Sequence, residues 1–160
     1  MASGVAKARN PIPTAQALLT AGWPHRPAFV RALGGVELAA AGTMLVEPRY
    51  GAAAVGALYG GFFAFLASVL LRDVDMASCG CTGATDTPPT WLHASFNLAV
   101  TACAAGGALL GARSTAGLVH VLGPSAVIFA VAVAIAAWLA YLIVQLGPRL
   151  FAPAYPSKEA

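Results

Sequence analysis

The chain has 160 residues, 59% of them hydrophobic and only 9% charged, whereas a soluble domain carries roughly 25% charged residues. That balance excludes a water-soluble globular protein. Blocks rich in Ala and Leu, in place of short alternating strands, exclude a β-barrel, and the nine Lys and Arg behind the net charge of +3 are spread singly, which excludes a basic nucleic-acid patch.

Residues 1–28 are mixed in character and read as an N-terminal interfacial segment. Asn10-Pro11-Ile12-Pro13 interrupts any helix there, and Thr14 is placed to cap a short amphipathic helix through Gln16, Leu18 and Leu19. No cleavable signal peptide is expected, because prolines break up the apolar character of this stretch. Residues 29–149 form the membrane domain, in which several runs reach the 18 or more apolar residues that a bilayer core demands. The first span covers about 29–46 and stops at Glu47-Pro48-Arg49; the second covers about 50–71 and stops at Arg72, Asp73 and Asp75. Residues 73–90 make the longest polar stretch of the middle, dense in turn and helix-breaking residues. A third span runs from Trp91, an interfacial aromatic, to about 111, and a fourth from Pro124 to about 146. Residues 150–160 are a polar tail. The expected architecture is an all-α integral membrane protein, an antiparallel bundle of about four transmembrane helices with the lipid bilayer as its solvent.

Glycines four apart, Gly56 with Gly60 and Gly107 with Gly111, allow close backbone approach, and packing within one bundle explains them better than a dimer seam.

With three cysteines there is no disulfide scaffold, and the close pair Cys79 and Cys81 requires its own explanation. A bridge across one residue needs a sharp turn, which Gly80 permits, and a strained bridge has the raised reduction potential of a bond that opens and closes. Redox chemistry, metal binding and a structural or lipidated pair are the three readings of the motif. For metal, His93 and Asp86 add donors, but only three plausible ligands are evident, and Cys103 lies too deep along its helix to be the fourth. Small-residue packing is the expected role of Cys103. His93 and Asn97 are one turn apart on the third span, so they share a face that begins close to the thiol loop. His93 is expected either to favour a reactive thiolate or, with Asn97, to hydrogen-bond across the bundle. Glu37 falls inside the first span, where a carboxylate is costly enough to mark a functional position. It is expected to be protonated or bonded to Tyr59 or another polar group of the bundle. No nucleotide loop, hydrolase elbow or paired-carboxylate site is visible, and no cofactor is expected.

Several of these residues, taken in order, resemble one family. They are Lys7-Ala8-Arg9-Asn10-Pro11, Gly35-Val36-Glu37-Leu38-Ala39, Cys79-Gly80-Cys81-Thr82-Gly83, and Trp91-Leu92-His93 with Asn97. Over about residues 4–111 they resemble the MauE methylamine-utilisation membrane proteins, related to DoxX-like proteins. The resemblance implies a four- or five-helix bundle in the cell membrane. It also implies a role in maturing a disulfide-rich periplasmic partner, with Cys79 and Cys81 as the redox pair and no assigned role for Glu37. The chain departs from the family pattern at Thr82, where Phe is usual, and at Phe96, where an Arg often precedes the Asn. In the family the Lys-x-Arg-x-Pro motif closes a first transmembrane helix, whereas six residues precede Lys7 here.

The preferred reading is a membrane thiol-disulfide protein with Cys79, Cys81 and His93 as its working residues. Its rival is a non-enzymatic membrane subunit or small-molecule carrier that uses the interior around Glu37. Charge topology pulls against the first. Lys7, Arg9, Arg26, Arg31, Arg72, Arg149 and Lys158 fall on the thiol-loop side and Arg49 and Arg113 on the other, which by the positive-inside rule puts the loop in the cytoplasm. A standing disulfide is expected outside it.

Overall fold

The computed structural model describes residues 2–76, 88–111 and 114–151, with side chains described for 3–76, 88–111 and 114–143. Every regular element among them is a helix: α1 (Ala2–Arg9), α2 (Ile12–Thr20), α3 (Pro27–Val46), α4 (Pro48–Leu71), α5 (Trp91–Leu110), α6 (Thr115–Leu122) and α7 (Ser125–Phe151). Four of them, α3, α4, α5 and α7, are long and apolar enough to cross a membrane. The protein is a multi-pass, all-α membrane protein with the bilayer as its environment. The cysteine loop, including Cys79 and Cys81, lies outside the described residues.

Backbone proximity organises the bundle. Only Glu47 separates α3 from α4, and the chain folds back so tightly that a Cβ on Gly51 would stand 2.3 Å from the Cα of Met44. No residue but glycine fits there. Further along α4, Gly56 lies against Ala104 and Thr101 of α5, and Gly60 against Thr101, at ordinary van der Waals spacing. The pairing of 56 with 104 and 60 with 101 makes α4 and α5 antiparallel, and it puts this glycine pair inside one bundle. Gly111 acts differently: it closes α5 as a left-handed C-cap with φ 76°.

The N-terminal segment joins this bundle. Gly4 of α1 meets Gly34, Glu37 and Leu38 of α3, while Gly34 meets Gly4, Lys7 and Ala8. The two helices therefore run antiparallel with their backbones nearly touching. The second helix begins at Ile12 with Pro11 as its N-cap, so Thr14 is a buried residue inside α2 and does not cap it. Proline in the first turn explains the earlier start, since an N–H there has no intrahelical partner to lose.

The core sits at the end of the bundle where α2 crosses the start of α3, the end of α4 and the start of α5. Leu18, Ala21, Val30, Phe65, Leu66, Val69, Met76 and Ala94 are buried together there. Trp23 stands edge-on to Phe65 at 5.6 Å between ring centroids, and Arg72 Nη2 donates to the Ala21 carbonyl at 2.8 Å, tying α2 to the end of α4. The helix α6 has no counterpart in the expectation from sequence. Cys103 is exposed on the bundle surface and does not fill a packing site.

Candidate functional site

Within the bundle the described residues bring one pair of opposite charges together. Lys7 Nζ lies 2.8 Å from Glu37 Oε1, with side chains 1% and 10% exposed. Glu37 is ten residues past the start of α3, about 15 Å along a helix that rises about 1.5 Å per residue, and so near mid-membrane. Lys7 reaches it because α1 packs on α3 through Gly4 and Gly34. Among the described residues Oε1 makes no aligned hydrogen bond, so charge is what holds the contact. The ammonium also donates to Ser3 Oγ, one turn back on α1, and stands 5.4 Å from the centre of the Phe62 ring, a cation–π distance. Tyr59 stacks edge-on with Phe62 at 5.9 Å. Lys7 is therefore an interior cation and adds nothing to the basic charge at the membrane surface, which corrects its place in the topology count. The exposed Arg9, Arg26 and Arg31 keep theirs.

A half-open cavity of about 210 Å³ adjoins this pair. Lys7 is its charged lining residue; Trp23, Phe29, Phe62 and Phe65 supply aromatic walls, and Gly61 of α4 also lines it. Phe65 and Leu18 line the cavity and also belong to the buried core that contains Met76. Met76 precedes Cys79 by three residues in the sequence.

After the cysteine motif in sequence, the chain enters α5 at Trp91. Thr90 is its N-cap, and its hydroxyl both accepts from the His93 backbone N–H at 3.4 Å and lies 2.8 Å from His93 Nδ1. His93 is buried at 7% exposure. Asn97 Nδ2 donates to the His93 carbonyl at 2.9 Å, and Thr101 Oγ1 donates to the Asn97 carbonyl at 2.8 Å. His93, Asn97 and Thr101 thus form one polar line down α5. Asn97 satisfies itself within its own helix, because a side-chain amide in an apolar medium takes the nearest carbonyl.

Of the candidate residues, Glu37 gains Lys7 as its partner, and His93 and Asn97 share a face of α5. The signal for Lys7 was in the chain: an isolated cation and an isolated carboxylate in apolar surroundings are expected to find each other. No curated protein and no solved structure matches the chain. Residues 1–110, which hold α1 to α5, the ion pair, the cavity and His93, match the family described as methylamine utilisation protein MauE, and the chain belongs to that family.

Proposed function

We propose that this protein assists disulfide formation or maturation of a partner protein in methylamine utilisation, with Cys79 and Cys81 cycling between dithiol and disulfide. What supports this reading is that the described residues on either side of the Cys-Gly-Cys motif in sequence, Met76 and Thr90, are both held at one end of the bundle. Met76 is buried in the core three residues before Cys79, and Thr90 caps α5 while contacting buried His93. His93, near the loop's return, is the side chain proposed to tune a thiolate.

Replacing Cys81 with Ser, and separately Cys79 with Ser, in cells that make the partner should trap a thiol-reversible mixed disulfide with one of the two variants. Alkylation of the wild-type pair should give both oxidised and reduced populations. A pair that stays wholly reduced under oxidising growth, with no adduct from either variant, would remove the redox role.

The buried Lys7–Glu37 pair beside an apolar cavity favours a second reading, a membrane subunit or carrier whose working part is the bundle interior. In that case Cys79→Ser combined with Cys81→Ser leaves methylamine-dependent growth intact, whereas Glu37→Gln abolishes it.

A further inference from the structure

We infer that the cavity between α2, α3 and α4 is a groove for an acyl chain of an anionic phospholipid whose headgroup is held at Arg26; this goes beyond the cysteine chemistry and does not depend on it. Shape comes first. Ala57, Leu58, Gly61, Phe62 and Phe65 line the space from one stripe of α4, and positions 57 to 65 cover about 12 Å at about 1.5 Å per residue. A volume of about 210 Å³ drawn out along a helix fits a chain segment lying parallel to the spans. Ala57 and Gly61 are exposed, so the groove opens sideways from a helix that crosses the membrane, where the surrounding medium is hydrocarbon. Lys7 takes no part in choosing the guest, because its ammonium is already held by Glu37, Ser3 and the Phe62 ring.

Apolar walls accept any chain, and the charge at the mouth decides which lipid supplies it. Trp23 and Phe29 both line the groove, and the stretch of chain between them carries His25 and Arg26, both exposed. Arg26 is the N-cap of α3, and Arg26, Phe29 and Leu33 follow the i, i+3, i+7 spacing of one row along a helix. The arginine therefore stands where α3 enters the headgroup layer, next to two residues that line the groove. His25 Nδ1 lies 3.4 Å from the Trp23 carbonyl, which keeps the ring beside that wall.

Nothing in the protein neutralises this cation. Among the described residues no carboxylate pairs with Arg26, and the first turn of α3 contains no acidic residue. A guanidinium can donate two parallel hydrogen bonds to a phosphate, and basic groups beside a cleft between spanning helices recognise anionic headgroups. At the same end of the bundle Arg9, Arg31 and Arg72 outnumber Asp73 and Asp75. A zwitterionic lipid would bring its own ammonium into that positive field, so the anionic lipid is preferred.

The test uses the full chain in phosphatidylcholine nanodiscs with Trp91→Phe and Trp138→Phe, which leaves Trp23 as the one tryptophan. Phosphatidylglycerol with brominated acyl chains, added at rising mole fraction, should quench Trp23 with an association constant at least about fivefold above that of brominated phosphatidylcholine, which corresponds to the about 1 kcal/mol of one basic residue near an anionic surface. Arg26→Gln should abolish that preference. Arg49→Gln, the same change of charge at the other end of the bundle, should leave it intact. Gly61→Leu should remove most of the quenching by both lipids, and a Cβ at Gly61 meets nothing within 4 Å, so the variant should fold. Equal quenching by the two lipids, or equal loss of preference in the Arg26 and Arg49 variants, would overturn the headgroup site. Quenching that ignores Gly61→Leu would overturn the groove.

Discussion

The first helix and the last make an instructive contrast. α1 is eight residues long and carries Lys7 and Arg9, yet it is pressed against α3 with Lys7 almost wholly buried. α7 is the most apolar of the four candidate spans, and none of its spanning stretch is buried. In water the order would be reversed. In lipid, a Leu or Ile side chain is as well solvated by acyl chains as by protein, so apolar area does not draw helices together; close backbone approach and polar contacts do. α1 has both, in Gly4 against Gly34 and Lys7 against Glu37.

The largest way to break this contrast is at the ion pair. Lys7→Met leaves a buried carboxylate without its counter-charge and should cost about 3–5 kcal/mol, read as a shift in unfolding from mixed detergent micelles. Glu37→Gln should fall in the same range. The double variant, Lys7→Met with Glu37→Gln, should recover most of that loss, because replacing both partners removes the desolvation of both charges. A double variant as unstable as either single one would mean that the contact matters through shape, and the account of α1 given above would fail.

The glycines sharpen it further. Gly51→Ala puts a Cβ 2.3 Å from backbone atoms of Met44, so the α3–α4 hairpin has to open, at about 1–3 kcal/mol or more. Gly56→Ala meets Ala104 at 3.5 Å. That is ordinary contact, and together with the better helix propensity of Ala it should leave stability unchanged or raised by up to about 1 kcal/mol. Equal effects at the two positions would contradict the seam geometry. A smaller loss is expected at the start of α5. Thr90→Ala removes the N-cap oxygen and a partner of His93 Nδ1, for about 1 kcal/mol, visible as faster amide exchange in the first turn of α5.

How much of this could be read from the chain follows the same physics. The four spans were legible because bilayer thickness fixes a length, and the first three end within about two positions of the expected Pro, Gly and charged residues, whereas α7 continues through Gly147 and Pro148 to Phe151 and so passes the stop expected near 146. Helices of eight or nine residues are marginal on their own: α2 was expected from Gln16, Leu18 and Leu19, though with its start at Thr14 in place of Ile12, whereas α1 and α6 were not announced by composition and exist through what they pack against. Glu37 was conspicuous as a lone carboxylate in an apolar helix, but its partner came from a segment whose Lys and Arg read as surface charges. The Thr90 contact to His93 was hidden for another reason. A threonine after two prolines reads as loop, and only the start of α5 at Trp91 turns it into a cap. Asn97 was legible in position but not in partner, since sequence spacing gives a shared face and does not tell whether an amide looks across the bundle or up its own helix.

The smallest expected effect tests the comparison from its other side. Ile135 lies mid-way along the spanning part of α7 and is half exposed. In a soluble helix of this hydrophobicity the residue would be core, and Ile→Ala would cost about 2–5 kcal/mol. Here the side chain passes from lipid in the folded bundle to lipid in the separated helices, so the substitution removes no burial. Ile135→Ala should change unfolding in mixed micelles by no more than about 0.5 kcal/mol, with membrane insertion intact because the rest of the span is apolar enough to carry one alanine. A loss of about 2 kcal/mol or more would mean that α7 is covered in the membrane by another copy or another subunit. The contrast would then be between two kinds of interface, since a packed van der Waals contact is the remaining way an aliphatic side chain can contribute stability in lipid.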